Sequence, residues 1–293
     1  MNERTKGEKI FAVFNTLFLF ILCVIFILPV WHVAMGSISD PLQVAAHSGL
    51  FLKPLGKITF GGYELVMANS NIMKSYINTF IYVVASTLIG LVLNILAAYV
   101  MSRKNLMFGK LFSKFVVFTM IFNGGLVPTF IVINKLHLYN TRWAVILPGA
   151  LTAFNIIIMR TSFMEIPSEM IEAARIDGAD DFRILTRVVL PVSQSIIAVI
   201  VLFYAVQHWN EWFNASIYLQ DRKLWPLQLM LREIVLQSTE NSIVADTSGE
   251  DVMIYRPLIK YATIMISVIP MMVIYPFVQK YFVSGVMIGA VKG

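Results

Sequence analysis

Six long apolar segments constrain this chain more than any other feature of its sequence. Each is long enough, or nearly so, to cross the hydrocarbon core of a bilayer, which takes about 20 helical residues. We predict membrane spans at Phe11–Val33, Ile77–Met101, Phe115–Ile133, Trp143–Met159, Val192–Trp212 and Tyr261–Val278. Because 58% of its 293 residues are hydrophobic, the chain is predicted to be an all-α, six-span polytopic membrane protein.

Lysine and arginine residues near the ends of the spans predict the orientation. With the N-terminus inside, 13 of the 23 basic residues fall on the cytoplasmic side. Most of the others are spread over two long outer segments, where charge has little influence on topology. We therefore expect both termini in the cytoplasm. The net charge of +6 then reflects topology and does not indicate nucleic-acid binding.

The chain divides into a cytoplasmic tail (1–10), a membrane body (11–282) and a second cytoplasmic tail (283–293). The first span is too long for a signal peptide, and no small-residue cleavage site follows it. Two outer segments are expected: 36–76, irregular because of its proline and glycine residues, and 214–260, a large exposed loop whose polar composition allows flexibility. The lone Cys23 excludes a disulfide within the chain and is interpreted as membrane packing.

The charged segment Glu165–Pro191, between the fourth and fifth spans, is predicted to form two short helices joined by a glycine corner. Pro167 is preset for the first turn of a helix. Gly178 is expected to end that helix, because glycine takes the left-handed conformation without steric cost. Asp180 can cap the second helix, which should continue until Pro191 starts a new element.

The first of these helices is predicted to be amphipathic. Met170, Ile171 and Ala174 recur at helical spacing on one face. A linker has no need of small residues at Ala173 and Ala174. Small residues beside an exposed Glu172 suit a helix that lays one face into the groove of another protein.

This segment carries a sequence pattern that extends over both helices. It reads Glu172-Ala173-Ala174, three residues, Gly178, nine residues, then Val188-x-Leu190-Pro191. The pattern resembles the EAA loop of permease subunits in binding-protein-dependent ABC importers, with Val188 where isoleucine is usual. The resemblance implies a coupling helix that docks into a cleft on a separate ATPase subunit.

The resemblance also implies a role for each coupling residue. Glu172 would be a polar anchor in the ATPase cleft, Ala173 and Ala174 the close-approach face, and Gly178 the corner. Arg175 and Asp177 would add peripheral charge contacts. Residues 285–293 would run along the ATPase interface.

Several further stretches, from the third apolar segment to the C-terminus, form a second pattern. They are Phe122-Asn123-Gly124-Gly125-Leu126-Val127-Pro128-Thr129, Leu138-Tyr139-Asn140-Thr141, Trp209-Asn210-Glu211-Trp212-Phe213, Pro226-Leu227-Gln228 and the tail from Gln279 to Gly293. Together they resemble carbohydrate permeases that import oligosaccharides or polysaccharide fragments across the bacterial plasma membrane by alternating access. Such a subunit works with a second homologous permease, an ABC ATPase dimer and an extracytoplasmic solute-binding protein. ATP and magnesium would bind the ATPase subunits, so no cofactor is expected in this chain.

Polar residues within the spans are candidates for a translocation path. Tyr204, Gln207, His208 and Glu211 fall at i, i+3, i+4 and i+7, and they are predicted to form one polar stripe. The stripe could line a hydrophilic path or make hydrogen bonds between helices. Asn123, in the glycine-containing break of the third span, marks either the path or a packing kink.

Two other classes of function are weighed against an importer subunit. A membrane-embedded enzyme should show paired catalytic groups, and none can be assembled from the sequence. The sequence also lacks a G-x-x-x-x-G-K-[ST] nucleotide-binding motif, and its four histidines lack metal-ligand spacing. An independent channel would leave the charged segment unexplained. Asn94 and Asn155, lone polar residues in the spans, are interpreted as packing.

Overall fold

The computed structural model describes residues 5–103, 106–239 and 250–290. Within these ranges the chain forms helices and no strand, which confirms the predicted all-α class. The helices are α1 (Lys6–Ser37), α2 (Pro41–Ala46), α3 (Gly61–Ala68), α4 (Ser70–Ser102), α5 (Gly109–Ile121), α6 (Leu126–Lys135), α7 (Trp143–Ile146), α8 (Ala153–Met164), α9 (Ser168–Ile176), α10 (Asp181–Val192), α11 (Gln194–Trp209), α12 (Phe213–Tyr218), α13 (Leu227–Thr239) and α14 (Glu250–Ala290).

Three helices in this part of the chain are long and apolar enough to cross a membrane by themselves: α1, α4 and the stretch Ile254–Pro276 of α14. Two bent pairs pass the same test together, α5 with α6 and α10 with α11. Length and composition therefore support three to five spans. Helix α1 begins with a capping box, in which Thr5 and Glu8 bond each other's backbone amides. None of its most apolar 18-residue window is buried within the chain.

The predicted fourth span, Trp143–Met159, is not one continuous helix. Its residues form α7 and the first half of α8, and an irregular stretch at 147–152 separates the two. Pro148 and Gly149 lie in that stretch. Proline lacks the amide hydrogen that a helix needs, and glycine adds backbone freedom, so the apolar composition alone overstated the helix.

The predicted break in the third span is confirmed. Helices α5 and α6 meet at an angle of 111°. Gly125 has a φ of 88°, a conformation that favours glycine. The side-chain oxygen of Asn123 accepts a hydrogen bond from the Gly125 amide at 2.9 Å and so closes the turn.

Segment 36–76, which we expected to be irregular, is irregular only in part, and segment 214–260 is more than an exposed loop. Segment 36–76 contains α2 and α3, and Asp40 caps α2 by accepting bonds from two backbone amides. Segment 214–260 contains most of α12, all of α13 and the start of α14. Its polar middle at 240–249 lies outside the described residues. Local caps and apolar anchors organise these segments despite their glycine, proline and polar content.

At the two ends of the chain, residues 1–4 and 291–293 of the predicted tails also lie outside the described residues. Helix α14 continues to Ala290, so residues 283–290 are helical.

The chain folds into two compact units. One contains the residues up to Ser70 together with Leu231–Pro270. Its core is formed by Val44, Phe51 and Leu258. Gly62 is needed here because a Cβ at this position would lie 2.8 Å from the Cβ of Leu258.

The second unit contains Asn71–Met230 and the residues from Met271 onward. One buried cluster in this unit, called the corner core here, joins residues from α4, α8, α10 and α11. Its members are Ala98, Tyr99, Met159, Phe163, Ile166, Ile184, Leu185, Val189, Ile200 and Tyr204. The charged segment is therefore seated on the ends of the apolar helices.

Candidate functional site

The glycine corner of the charged segment has the geometry that the sequence predicts. Gly178 has a φ of 79° directly after α9. Its amide donates to the Arg175 carbonyl at 3.0 Å, and the Ala179 amide donates to the Ala174 carbonyl at 2.9 Å. This pair of bonds is a Schellman motif, which satisfies the last carbonyls of a helix. An added Cβ at Gly178 would meet no atom within 4 Å, so only its backbone conformation requires glycine.

The boundaries of the two helices at the corner differ slightly from the prediction. Pro167 stands just before α9 with an extended ψ of 133°, outside the first turn. Asp180 caps α10 as predicted, since its side chain accepts a bond from the Arg183 amide at 2.8 Å. Pro191 does not start a new element, because α10 continues to Val192 and the chain then turns by 85° into α11.

A π-helical turn at Leu185–Val189 precedes Pro191. Proline cannot donate to the carbonyl four residues before it, and its ring would crowd that carbonyl in a regular helix. The wider π turn accommodates the proline inside α10. Leu185 and Val189 also belong to the corner core, so the irregular turn is fixed by packing.

Helix α9 exposes one face to its surroundings. Glu169, Glu172, Ala173 and Ile176 fall at i, i+3, i+4 and i+7, and all four are exposed. We call these four residues the outer face of α9. Ile176 is 86% exposed, although it is a large aliphatic residue in a charged helix. An exposed isoleucine on an otherwise polar helix is the side chain that a protein partner would bury.

The opposite face of α9 packs onto the chain itself. Ile171 and Ala174 contact the corner core, as does Ala179 after the corner. Contrary to the prediction from the motif, Ala174 therefore does not share the close-approach face with Ala173. Neighbouring residues on a helix point about 100° apart, so the two alanines serve different surfaces. Met170, predicted on the same face as Ile171, remains 43% exposed.

Charges around the corner are partly paired within it. Arg175 and Asp181 form an ion pair of 3.2 Å, and both side chains are more than half exposed. Asp177 is the exposed C-cap residue of α9. Glu172 makes no hydrogen bond or ion pair with any described residue. Of the predicted coupling charges, Glu172 and Asp177 thus have no side-chain partner among the described residues, whereas Arg175 is already paired with Asp181.

Tyr99, which sequence reasoning missed, connects the corner to α4. Its hydroxyl donates to the Asp181 carbonyl at 2.9 Å, and its ring is buried in the corner core. The guanidinium of Arg103 lies 3.9 Å from the centre of that ring, a cation–π contact. Nearby, Arg160 Nε donates to the Met101 carbonyl at 2.9 Å and ties α8 to the end of α4. A tyrosine in an apolar helix gives no sequence signal for such a role.

The predicted polar stripe does not form one surface. Tyr204 is fully buried, and its hydroxyl accepts a hydrogen bond from Asn94 Nδ2. Helix α11 ends at Trp209, so Glu211 lies beyond it. Both carboxylate oxygens of Glu211 bind Asn214 at 3.0 Å, through the backbone amide and the side-chain amide. Tyr204 thus matches the interhelical alternative, and Asn94 packs as predicted.

Gln207 is the exposed member of the stripe within α11. It lines a cavity of about 530 Å³. The other lining residues are Thr152, Phe154, Asn155, Leu202, Phe203 and Val206. Tyr204, Glu211 and Asn123 are absent from this cavity, so the structure does not bring the four predicted path residues together. Asn123 is exposed in the break between α5 and α6.

A network of hydrogen bonds fixes the beginning of segment 214–260 to α4. Asn78 Nδ2 donates to the Lys223 carbonyl at 2.7 Å, and the Tyr82 hydroxyl donates to the Leu224 carbonyl at 2.6 Å. The Leu227 amide donates to Thr79 Oγ1 at 2.7 Å. Asn140 Oδ1 accepts from two further amides of the segment. These bonds explain why this part of the predicted loop is ordered against the apolar helices.

Comparisons with known proteins agree with the resemblance seen in the sequence. Residues 107–288 match the family described as binding-protein-dependent transport system inner membrane component. The protein LplC of Bacillus subtilis (strain 168) is 35% identical over 99% of this chain and 98% of its own length. The polygalacturonan/rhamnogalacturonan transport system permease protein YtcP of the same organism is 37% identical over 94% of this chain and 96% of its own.

A solved structure agrees with the fold. It belongs to a bacterial ABC transporter involved in the import of the acidic polysaccharide alginate. One of its chains matches with a TM-score of 0.85 and 30% identity, covering 96% of this chain and 100% of that chain. The sequence, the helical structure and these similarities lead to one conclusion: this chain belongs to the family of inner-membrane components of binding-protein-dependent transport systems.

Proposed function

We propose that this chain is the permease subunit of an ATP-driven ABC importer that carries oligosaccharides or polysaccharide fragments across the plasma membrane. The observation that carries the proposal is similarity over nearly the whole length, in sequence and in fold, to a chain of an alginate importer. The permease YtcP, named for polygalacturonan and rhamnogalacturonan transport, supports the same class of substrate. A membrane-embedded enzyme or an independent channel is not favoured, because the related proteins are transport permeases.

In the proposed mechanism, the α9–α10 corner is the coupling element. The outer face of α9 would enter a cleft on the ATPase subunit, with Glu172 as the polar anchor and Ile176 as an apolar contact. Ala173 would allow close approach of the two backbones. Support comes from the exposure of these side chains and from the absence of an intrachain partner for Glu172 among the described residues. Ala174 and Gly178 would shape the corner from within.

Movement of the corner would reach the apolar helices through direct contacts. Asp181 is bound to Tyr99 of α4, and Ile184, Leu185 and Val189 of α10 pack in one cluster with residues of α8 and α11. Such a contiguous packed network is the physical route by which a displacement at one end of an element moves its neighbours. ATP-driven closure of the ATPases would thus rock these helices between outward-facing and inward-facing states.

We further propose six spans with both termini in the cytoplasm. The bent pairs α5–α6 and α10–α11 and the broken pair α7–α8 would each serve as an interrupted span, in addition to α1, α4 and α14. Breaks in membrane helices are tolerated where they are buried in protein or line a wet cavity. The basic residues at the inner ends of these spans support the orientation.

The proposed complex contains a second homologous permease, an ABC ATPase dimer and an extracytoplasmic solute-binding protein. ATP and magnesium would bind to the ATPase subunits. Gln207, exposed in a cavity between α8 and α11, would contact the sugar, whereas Tyr204 would support the helix that carries it. Asn123 would line the path only if the α5–α6 break faces it.

Reconstitution into proteoliposomes tests this function. The chain would be purified with the products of its neighbouring genes, and uptake of a labelled oligogalacturonide would be measured with and without internal ATP. We expect uptake that requires ATP, the ATPase subunits and the solute-binding protein. Uptake that proceeds equally without ATP would contradict the proposal and favour a channel.

A further inference from the structure

We propose that a basic cavity at the ends of α4, α5 and α8 binds the phosphate headgroup of an anionic phospholipid. The cavity has a volume of about 670 Å³. Its lining residues are Met101, Ser102, Arg103, Leu106, Phe108, Gly109, Lys110, Ser113, Lys114, Arg160 and Met164. Of the lining residues that the structure describes, four are basic and none is acidic, so this lining is electropositive.

The basic side chains of the cavity have no acidic partner in the described part of the chain, although Arg160 donates to the Met101 carbonyl and Arg103 lies on the Tyr99 ring. The one ion pair found there joins Arg175 to Asp181, which lie outside this cavity. Lys110 and Lys114 are one helical turn apart on α5, an arrangement that repels unless an anion lies between the ammonium groups. The Nε atom of Arg103 is buried and lacks a hydrogen-bond partner among the described residues. A buried guanidinium nitrogen without a hydrogen-bond partner is a donor that an anionic group bound in the cavity could use.

The start of α5 adds to the attraction for an anion. Phe108, the residue before this 13-residue helix, makes no side-chain cap. Backbone amides at a helix N-terminus carry a partial positive charge and favour phosphate. Phe108, Gly109 and Lys110 all line the cavity. The amides of Gly109 and Leu111 already donate to the Leu106 and Phe108 carbonyls, so this end of α5 contributes the Lys110 amide and the helix dipole.

Apolar residues beside the cavity identify the occupant as an amphiphile. Phe108 is 65% exposed and Met164 is 55% exposed at its rim. Leu111 and Phe115, on another side of α5, are also largely exposed. A free phosphate would not cover this apolar surface, whereas the acyl chains of a lipid would. A basic pocket between membrane helices is also the pattern that binds anionic headgroups.

The depth of the cavity agrees with a headgroup site. The apolar run of α4 ends at Met101, directly before Ser102 and Arg103, and all three residues line the cavity, so we place it where hydrocarbon gives way to polar headgroups. The assignment to the cytoplasmic leaflet depends on the proposed orientation of the chain. The proposed binding of a phosphate headgroup does not depend on that orientation, and a failed transport assay would not contradict it.

The test measures lipid binding by the full chain in detergent, by native mass spectrometry. The probe is dioleoyl phosphatidylglycerol, with phosphatidylcholine of the same acyl chains as the neutral comparison. The test variant is Lys110→Gln/Lys114→Gln. The matched control is Arg183→Gln/Arg187→Gln, which removes two charges from the same predicted side of the membrane, outside the cavity. Ser113→Leu, which fills the cavity without changing charge, is the second test variant.

We expect wild type and the arginine control to prefer phosphatidylglycerol. Because a basic residue near an anionic membrane surface contributes about a fivefold effect, the lysine variant should bind it roughly thirtyfold more weakly. Ser113→Leu should lose the preference as well. Equal loss in the lysine and arginine variants would show a general charge effect and overturn the proposal. Competition by millimolar inorganic phosphate or glycerol 3-phosphate would overturn it in favour of a soluble anion. If the lysine variant bound phosphatidylglycerol normally but copurified with less ATPase subunit, the lipid proposal would be overturned in favour of a protein contact.

Discussion

At the scale of single residues, two positions define the geometry of the glycine corner between α9 and α10. Gly178 supplies the left-handed backbone conformation, and no neighbouring atom lies where a side chain would strike it. Tyr99 supplies the bond between the corner and α4. Replacing Gly178 introduces backbone strain, whereas replacing Tyr99 removes a hydrogen bond. Substitutions at the two positions should therefore have different effects.

Substitutions of Gly178 should weaken ATPase association, and more strongly the less the new residue tolerates the left-handed backbone conformation. A residue with a Cβ costs about 1–2 kcal/mol in this conformation, and valine is further restricted by its branched Cβ. Gly178→Val should therefore insert normally but copurify with about tenfold less ATPase subunit, with Gly178→Ala intermediate. Gly178→Asn is the matched control, because asparagine tolerates this conformation better. Equal association in all three variants would contradict a docking role for the corner.

Replacing Tyr99 with phenylalanine should loosen the corner without creating a cavity. The lost hydrogen bond contributes about 1 kcal/mol, so ATPase copurification should fall by no more than about fivefold. Tyr63→Phe is the control, since it removes a hydroxyl that lies 2.7 Å from Ser37 Oγ in the other compact unit. Both variants should lower the midpoint of thermal unfolding, but only Tyr99→Phe should reduce ATPase association. A reduction in both would mean that the effect is general destabilisation.

At the scale of helices, the sequence predicts features that single residues determine. Gly178 ends α9, Asp180 caps α10, and the asparagine–glycine stretch breaks the third span, each for a local steric or hydrogen-bonding reason. The sequence did not predict features that depend on tertiary packing. The inward position of Ala174 depends on where α9 lies against the corner core. Glu211 does not lie on the predicted stripe, because α11 ends at Trp209 and α12 begins at Phe213.

The positions of Gln207 and Tyr204, two polar residues of α11, lead to different expectations for their substitution. Gln207 is exposed in a cavity, so Gln207→Leu should reduce sugar uptake while complex assembly and ATPase attachment remain intact. Tyr204 is buried on Asn94, so Tyr204→Phe should leave a buried amide unpaired and lower stability by about 1–3 kcal/mol. Uptake assays and thermal unfolding of the same preparations separate the two effects. Normal uptake in Gln207→Leu would leave packing as the role of Gln207.

At the scale of the whole molecule, the proposed orientation places the corner in the cytoplasm and the α6–α7 connection outside. In a Cys23→Ala background, Leu136→Cys should react with an impermeant thiol reagent in intact cells, because Leu136 is 61% exposed and the proposed orientation places it outside. Ser168→Cys, at the exposed start of α9, should react only after the cells are opened. The reverse pattern would overturn the orientation and the coupling mechanism with it.

In the proposed complex, the outer face of α9 docks onto a separate ATPase subunit. Site-specific photo-crosslinking in native membranes tests it most directly, with a photoreactive amino acid in place of Ile176 and a control in place of Leu136, both of which are well exposed. We expect an adduct of this chain with the ATPase subunit from position 176 and none from position 136. Adducts from position 176 that contain only lipid or another membrane subunit, while the ATPase copurifies normally, would contradict it.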